Sequence, residues 1–230
     1  MPIEQKLELL NRIYGIYEAF ARGLEVACIK YCAHCCTSNV SLTTLEGYHL
    51  VHSLETDQLE HLQQRLAPAF GKRVFRPLLT TNRIAELCRQ GQEIPEEASG
   101  DPAENCPLLE ENACPVYPLR PFGCRCLVSR VPCGESGTAE MPDFVLSVNT
   151  VFLQTIEHLD ATGCTGNLRD VLFCLMSAEN RQAYSKGRLN CSATGLVANN
   201  PLRVLMVPPE HRHRLQPILD ALMKLSTEPS

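Results

Sequence analysis

The sequence lacks the features that mark membrane-spanning, secreted and nucleic-acid-binding proteins. No apolar run approaches the roughly 20 residues that a membrane-spanning helix requires. The first ten residues contain no basic region followed by an uninterrupted apolar stretch, so they do not resemble a secretory signal. Lys and Arg form no dense run, and a formal net charge of -5 argues against a nucleic-acid surface. We therefore expect a cytoplasmic protein that binds neither nucleic acid nor a membrane.

The sequence also has little β-type alternation and no internal repeat. Apolar residues recur instead at steps of three and four, as on the buried face of a helix. A chain of 230 residues, 44% of them hydrophobic, is long enough to bury one substantial core. We expect a mainly α fold, with one domain over residues 1–230 and a C-terminal helical part over residues 143–225.

The helical spacing predicts where most of these helices lie. The first covers residues 3–27, and its last turn is expected to carry Cys28 and Cys32. Residues 43–46 form a capping-box pattern at the start of a helix over residues 44–54. Asp143 is expected to be the N-cap of a later helix. Further helices are expected over residues 56–70, 77–90, 168–176 and 208–222, with a turn over residues 162–167.

Residues 91–142 form an irregular insert in this helical pattern. Eight prolines within it prevent any long helix. A loop of this length without periodic structure is unusual in a compact domain unless something organises it. A metal centre that cross-links the loop would replace the missing core. The position of many cysteines in this insert therefore favours metal ligands over free thiols.

Thirteen cysteines are present, and most of them fall in two dense stretches. We call residues 28–36 the first cysteine segment and residues 106–126 the second. Cysteines at this density are disulfides, redox groups or metal ligands. The odd count, a vicinal pair and the expected reducing compartment disfavour a disulfide framework. Three further cysteines lie outside the two segments but have a clear context. Cys88 and Cys174 are expected to be buried on apolar helix faces, whereas Cys133 lies shortly after the second segment. The contexts of Cys164 and Cys191 do not decide their state.

The spacing within the first segment is typical of thiolate sites. Thiolate is a soft ligand that suits zinc, cuprous copper and iron–sulfur clusters. The two residues between Cys32 and Cys35 allow both sulfurs to face one centre. The neighbouring Cys36 is awkward for a single tetrahedral zinc, and no histidine has zinc-finger spacing. Near the second segment, Arg120 and Arg125 would offset the negative charge of a thiolate site and donate hydrogen bonds to sulfur.

The cysteine motif resembles that of the YkgJ-like cysteine-cluster family, which is described as a zinc- or iron-chelating domain. The family pattern is Cys-x2-Cys-x2-Cys-Cys, followed by Cys-Pro-x-Leu, Cys-x-Val/Ile-Tyr and Arg-Pro-x-x-Cys-Arg. Residues 106–109, 114–117 and 120–125 match the downstream elements. Upstream, residues 32–36 match, and Cys28 lies one residue further out than the family spacing. The resemblance covers about residues 28–130. It implies that the metal ligands are Cys28, Cys32, Cys35, Cys36, Cys106, Cys114 and Cys124.

Seven thiols exceed what one structural zinc needs, so we expect an iron–sulfur cluster with a role in electron transfer, redox sensing or cofactor support. Flagellin lysine methylases are similar to this chain in the cysteine motif and are thought to carry such a cluster. A cluster-dependent, protein-modifying enzyme is therefore an alternative, although the sequence has no Gly-rich loop of the adenosylmethionine-binding type. A structural zinc module that presents the helical body to a partner protein is another alternative. Cys126 and Cys133 are additional ligand candidates.

Overall fold

Helices form most of the chain in the computed structural model, which describes residues 1–29, 31–69, 73–97 and 104–227. The expectation of a mainly α fold is therefore confirmed. The helices are α1 (Ile3–Ala21), α2 (Thr44–His52), α3 (Thr56–Leu66), α4 (Thr81–Arg89), α5 (Phe122–Arg125), α6 (Cys133–Ser136), α7 (Asp143–Leu159), α8 (Leu168–Met176), α9 (Ala178–Ser185), α10 (Cys191–Thr194) and α11 (Arg212–Thr227). Short 3-10 turns occupy Ala67–Ala69, Tyr117–Leu119 and Pro209–His211.

Helix α1 ends earlier than its spacing predicted. The amides of Gly23 and Leu24 bond to carbonyls three residues back, at 3.0 Å each, which tightens the last turn and stops the helix. The following residues form an irregular loop. The prediction that α1 carries Cys28 and Cys32 in its last turn is therefore wrong, and a loop carries both residues.

The caps of the other helices explain where they begin and end. The capping box at α2 is confirmed, because Thr43 and Glu46 satisfy each other's backbone amides. Asp143 is the first residue of α7 and not its N-cap, because Pro142 is extended and holds that position. Helix α4 begins at Thr81, later than predicted, because the Thr80 side chain caps it. Helix α3 gives way at residue 67 to a 3-10 turn, and the predicted helix end at Phe70 lies outside the described residues.

The structure also contains a small sheet that the sequence pattern did not predict. Strands β1 (Ser41–Thr43), β2 (Cys164–Asn167) and β3 (Val197–Ala198) pair antiparallel in that order. Most of the predicted turn over residues 162–167 is therefore the central strand. Strands of four residues or fewer are too short to show a period of two. Helices α5, α6, α9 and α10 were also missed.

An aromatic group at the centre of the core joins three helices. The ring of Tyr17 on α1 packs edge-on against Phe122 and Phe152, at centroid distances of 4.7 and 5.1 Å. Phe122 on α5 and Phe152 on α7 stack at 5.5 Å, and both are fully buried. Aromatic pairs of this kind add about 0.5–1.5 kcal/mol beyond their burial. The short helix α5, within the second cysteine segment, is therefore anchored directly in the core.

The structure settles the state of the cysteines outside the two segments. Cys164 on β2 and Cys191 on α10 form a disulfide, which the sequence left undecided. Cys174 is buried, as expected. Cys88 is exposed, so the prediction of a buried Cys88 is wrong: α4 turns its other face, with Ala85 and Leu87, towards the core.

Among the described residues, no helix combines the length and the apolar composition needed to cross a lipid bilayer.

Candidate cysteine site

The two cysteine segments lie against each other through backbone hydrogen bonds. The amide of Cys106 donates to the carbonyl of Cys36 at 2.8 Å, and the amide of Ser38 donates to the carbonyl of Glu104 at 2.7 Å. Thr37 and Asn105, between these bonds, form an antiparallel bridge. The two cysteine segments are therefore in direct backbone contact.

The second segment folds into tight turns that direct its cysteines to this meeting point. Glu110 and Ala113 bond to each other's backbone, and between them Glu111 and Asn112 have φ values of 45° and 61°. Non-glycine residues rarely adopt positive φ, and the resulting tight turn sets the direction in which the chain leaves towards Cys114. The final cysteine of the site, Cys124, is carried by α5.

Five cysteine thiols interact with one another where the segments meet. Each is half-buried, and we call them the five-thiol group: Cys35, Cys36, Cys106, Cys114 and Cys124. The thiol of Cys35 hydrogen-bonds Cys36, and this bond raises the pKa of Cys35 and lowers the pKa of Cys36. Burial, and then the neighbouring cysteines, raise the pKa of Cys124. Metal binding would displace the thiol protons, because the thiolate is the ligand.

Backbone amides of the second segment face two of these sulfurs. Burial raises the pKa of Cys106, and backbone hydrogen bonds from Leu108 and Leu109 oppose this rise. Burial also raises the pKa of Cys114, opposed by a backbone hydrogen bond from Val116. Such N–H donors to sulfur stabilise a thiolate and tune a bound metal.

The two predicted arginines have different positions. The guanidinium of Arg120 lies near the five-thiol group, where its charge partly offsets the burial that raises the pKa of Cys114 and Cys124. It also stacks on the ring of Tyr117, at 3.8 Å. The guanidinium of Arg125 is turned towards α1. Its contacts are Glu18 Oε1 at 2.6 Å, the Pro118 carbonyl at 2.7 Å, the Arg120 carbonyl at 2.8 Å and the ring of Tyr14 at 4.1 Å.

The remaining predicted and candidate ligands, Cys28, Cys32, Cys126 and Cys133, differ in their surroundings. Cys28 is exposed and Cys32 is half-buried, and the amide of the preceding Ala27 donates to the Ser129 carbonyl at 2.8 Å. Cys126 is buried beside the group, and burial raises its pKa to about 12. Its thiol donates to the Gly123 carbonyl at 3.6 Å. Cys133 begins α6, which packs so closely on the first segment that a Cβ at Gly134 would lie 2.9 Å from the His34 ring.

One buried carboxylate adjoins the site, and sequence reasoning did not assign it a role there. Glu46 on α2 is 4% exposed, and the amide of Phe122 donates to it at 2.6 Å. Its negative charge contributes to the raised pKa of both Cys124 and Cys126. The capping-box pattern of α2 was the signal for this residue, but that pattern describes only its local role.

The donor chemistry of the site suits a soft metal or an iron–sulfur cluster, because thiols from two segments converge on one place. In residues 1–29, 31–69, 73–97 and 104–227, no group of three or more His, Cys, Asp or Glu side chains is arranged to hold a metal ion. The thiols of the five-thiol group interact electrostatically. In the described residues, however, they do not surround the position of a single ion. A separate recess of about 330 Å³ adjoins the second segment between Arg65 and Arg169, and no cysteine lines it.

The chain matches no protein-family profile, no curated protein sequence and no solved structure. The resemblance to the YkgJ-like family therefore depends on the cysteine motif itself.

Proposed function

We propose that this chain is a metal-binding protein whose two cysteine segments jointly bind one centre, an iron–sulfur cluster. The observation that supports the proposal best is the backbone pairing of Cys36 with Cys106, because it brings thiols from two distant parts of the chain together. The five-thiol group provides more sulfur donors than the four that one structural zinc requires. Cys28 and Cys32 complete the proposed ligand set from the loop after α1.

The chain's own residues would support such a centre in three ways. Thiolates of the five-thiol group would be the ligands. Amides of Leu108 and Val116 would donate hydrogen bonds to the ligating sulfurs. The positive charge of Arg120 would offset part of the negative charge of the thiolates. A bound iron–sulfur cluster supplies one-electron chemistry, which fits a role in electron transfer, redox sensing or cofactor support.

We also propose a reducing, cytoplasmic location. Eleven of the thirteen cysteines are free, and two of them are sequence neighbours. Thiols at this density form disulfides in an oxidising compartment, whereas cytosolic reductants keep them available as ligands. The disulfide between Cys164 and Cys191 lies apart in sequence from both cysteine segments.

The decisive experiment is metal and sulfide analysis on protein that has been purified without oxygen. We expect iron and acid-labile sulfide in stoichiometric amounts, with visible absorption bands that reductant bleaches. A colourless protein without iron or sulfide would refute the cluster. Stoichiometric zinc without iron would replace the cluster with a structural zinc centre.

Two matched variants test which cysteines are responsible. Cys124→Ser should lose the metal, because it removes a thiol of the five-thiol group. Cys88→Ser should keep it, because Cys88 is exposed on α4. Full metal content in the Cys124→Ser variant would refute a site shared by the two segments.

A further inference from the structure

Glu46 is a buried carboxylate held by four hydrogen bonds. Its Oε2 accepts from the Thr43 amide at 2.9 Å and from the Thr43 hydroxyl at 3.0 Å. Its Oε1 accepts from the Tyr14 hydroxyl at 2.9 Å and from the Phe122 amide at 2.6 Å. Only the bond from the Thr43 amide belongs to the capping box of α2, and the bond from the Thr43 hydroxyl is local to the same residue. The other two reach different parts of the chain, so capping alone does not account for this side chain.

The bond to Phe122 fixes the segment that carries Cys124. Phe122 is the first residue of α5, and Cys124 follows two residues later in the same short helix. A hydrogen bond from an amide to an ionised carboxylate is roughly twice as strong as one between neutral groups. Glu46 therefore ties the backbone beside Cys124 to α2, while the Tyr14 hydroxyl ties the same carboxylate to α1.

The carboxylate also places a fixed negative charge next to the site. Its Oε1 lies 2.6 Å from the amide nitrogen of Phe122, two residues before Cys124. Arg125 lies over the ring of Tyr14 at 4.1 Å, and its guanidinium pairs with Glu18 at 2.6 Å. A buried charge is costly unless hydrogen-bond donors satisfy it, and the four donors to Glu46 do so.

We propose that Glu46 is a positioning residue of the cysteine site, which fixes Cys124 through the Phe122 amide and sets the local charge. The role of this site as a metal centre rests on the function proposed above. The effect of Glu46 on the position of Cys124 is a property of the protein without metal, and it is tested separately.

The first test measures alkylation of Cys124 in reduced, metal-free protein. Iodoacetamide is the probe, and mass spectrometry gives the rate at each cysteine. Glu46→Gln should accelerate alkylation of Cys124 about tenfold, because a neutral amide oxygen accepts the Phe122 hydrogen bond more weakly and the segment opens more often. Alkylation of the buried Cys174 should change less than about twofold, which separates local opening from global unfolding.

Glu157→Gln is the matched control. Glu157 is also a buried carboxylate that accepts two backbone amides, from Asn82 at 2.7 Å and Asn200 at 2.8 Å. It lies on α7 and contacts no cysteine segment through these bonds. Its variant should lose stability without changing the alkylation rate at Cys124. Equal rates at Cys124 in the Glu46 and Glu157 variants would overturn the proposal.

Glu46→Asp keeps the charge but withdraws the carboxylate from Phe122. This variant replaces Glu46→Gln in the alkylation test if Glu46→Gln does not fold. It should also accelerate alkylation of Cys124, and an unchanged rate would overturn the positioning role.

In the protein with its metal centre bound, Glu46→Gln should shift the reduction potential of the centre to a more positive value, while Glu157→Gln should leave the reduction potential unchanged. Absence of metal in the wild-type protein would refute the proposed function alone, because the alkylation rates would still decide the role of Glu46.

Discussion

The disulfide between Cys164 and Cys191 gives a quantitative prediction of stability. The two residues are 27 positions apart and join the central strand β2 to α10. In the chain-entropy account, closing a loop of this length in the unfolded state stabilises the fold by about 3.5 kcal/mol at 25 °C. Reduction retains every side-chain atom in the folded protein, so no cavity contributes to the change. We expect reduction to lower the free energy of unfolding by up to that amount.

The assay is urea unfolding of metal-free protein, followed by circular dichroism, with and without a thiol reductant. Metal-free protein is needed because a reductant also acts on bound metal. The control is Cys191→Ala, which has no disulfide and should show the same free energy of unfolding in both conditions. The reasoning fails if reductant lowers the stability of wild-type protein by less than about 1 kcal/mol. It also fails if reductant lowers the stability of Cys191→Ala equally.

Two further predictions concern the core. Phe122→Ala should lower the free energy of unfolding by about 3–5 kcal/mol, because it removes a fully buried ring stacked on Phe152. Met223 is 56% exposed, so Met223→Ala should change the free energy of unfolding by less than about 0.5 kcal/mol in the same urea assay. Burial raises the pKa of Asp160 from 3.8 to about 6. Between these two pH values the folded state binds more protons than the unfolded state, so the contribution of Asp160 to the free energy of unfolding falls as the pH rises from about 4 to about 6. Relative to Asp160→Asn, wild-type protein should lose about 2.4 kcal/mol of stability between pH 4 and pH 7, and a pH-independent difference would contradict the prediction.

The longer helices could be predicted from the sequence because each buries one face along several turns. The stripe of α1 and the capping box of α2 are local patterns that tertiary contacts leave unchanged. The sheet could not be predicted in the same way. Strand β2 has four residues, and its pairing with β1 joins segments more than 120 residues apart. Such pairing depends on how the helices pack, and no local pattern records it.

For the site, too, local sequence patterns could be recognised, whereas contacts between residues distant in sequence could not be predicted. The motif spacing indicated that the two cysteine segments belong together, and the backbone pairing at Cys36 agrees with it. The role of Glu46 could not be predicted, because its amide donor in Phe122 lies 76 residues away. The different positions of Arg120 and Arg125 also depend on tertiary packing. Both flank Cys124 in sequence, but only the fold shows that Arg125 turns towards Glu18.

The pairing of Cys36 with Cys106 has a consequence for biosynthesis. The two residues are about 70 positions apart, so at roughly 5–20 residues per second the ribosome needs about 4–14 s to deliver the second after the first. During that interval the first segment has thiols but no partner strand. Its sulfurs must stay reduced until residues 104–106 arrive, and closing so long a loop is entropically costly. The centre proposed above could therefore not begin to assemble before nearly half of the 230 residues have been synthesised.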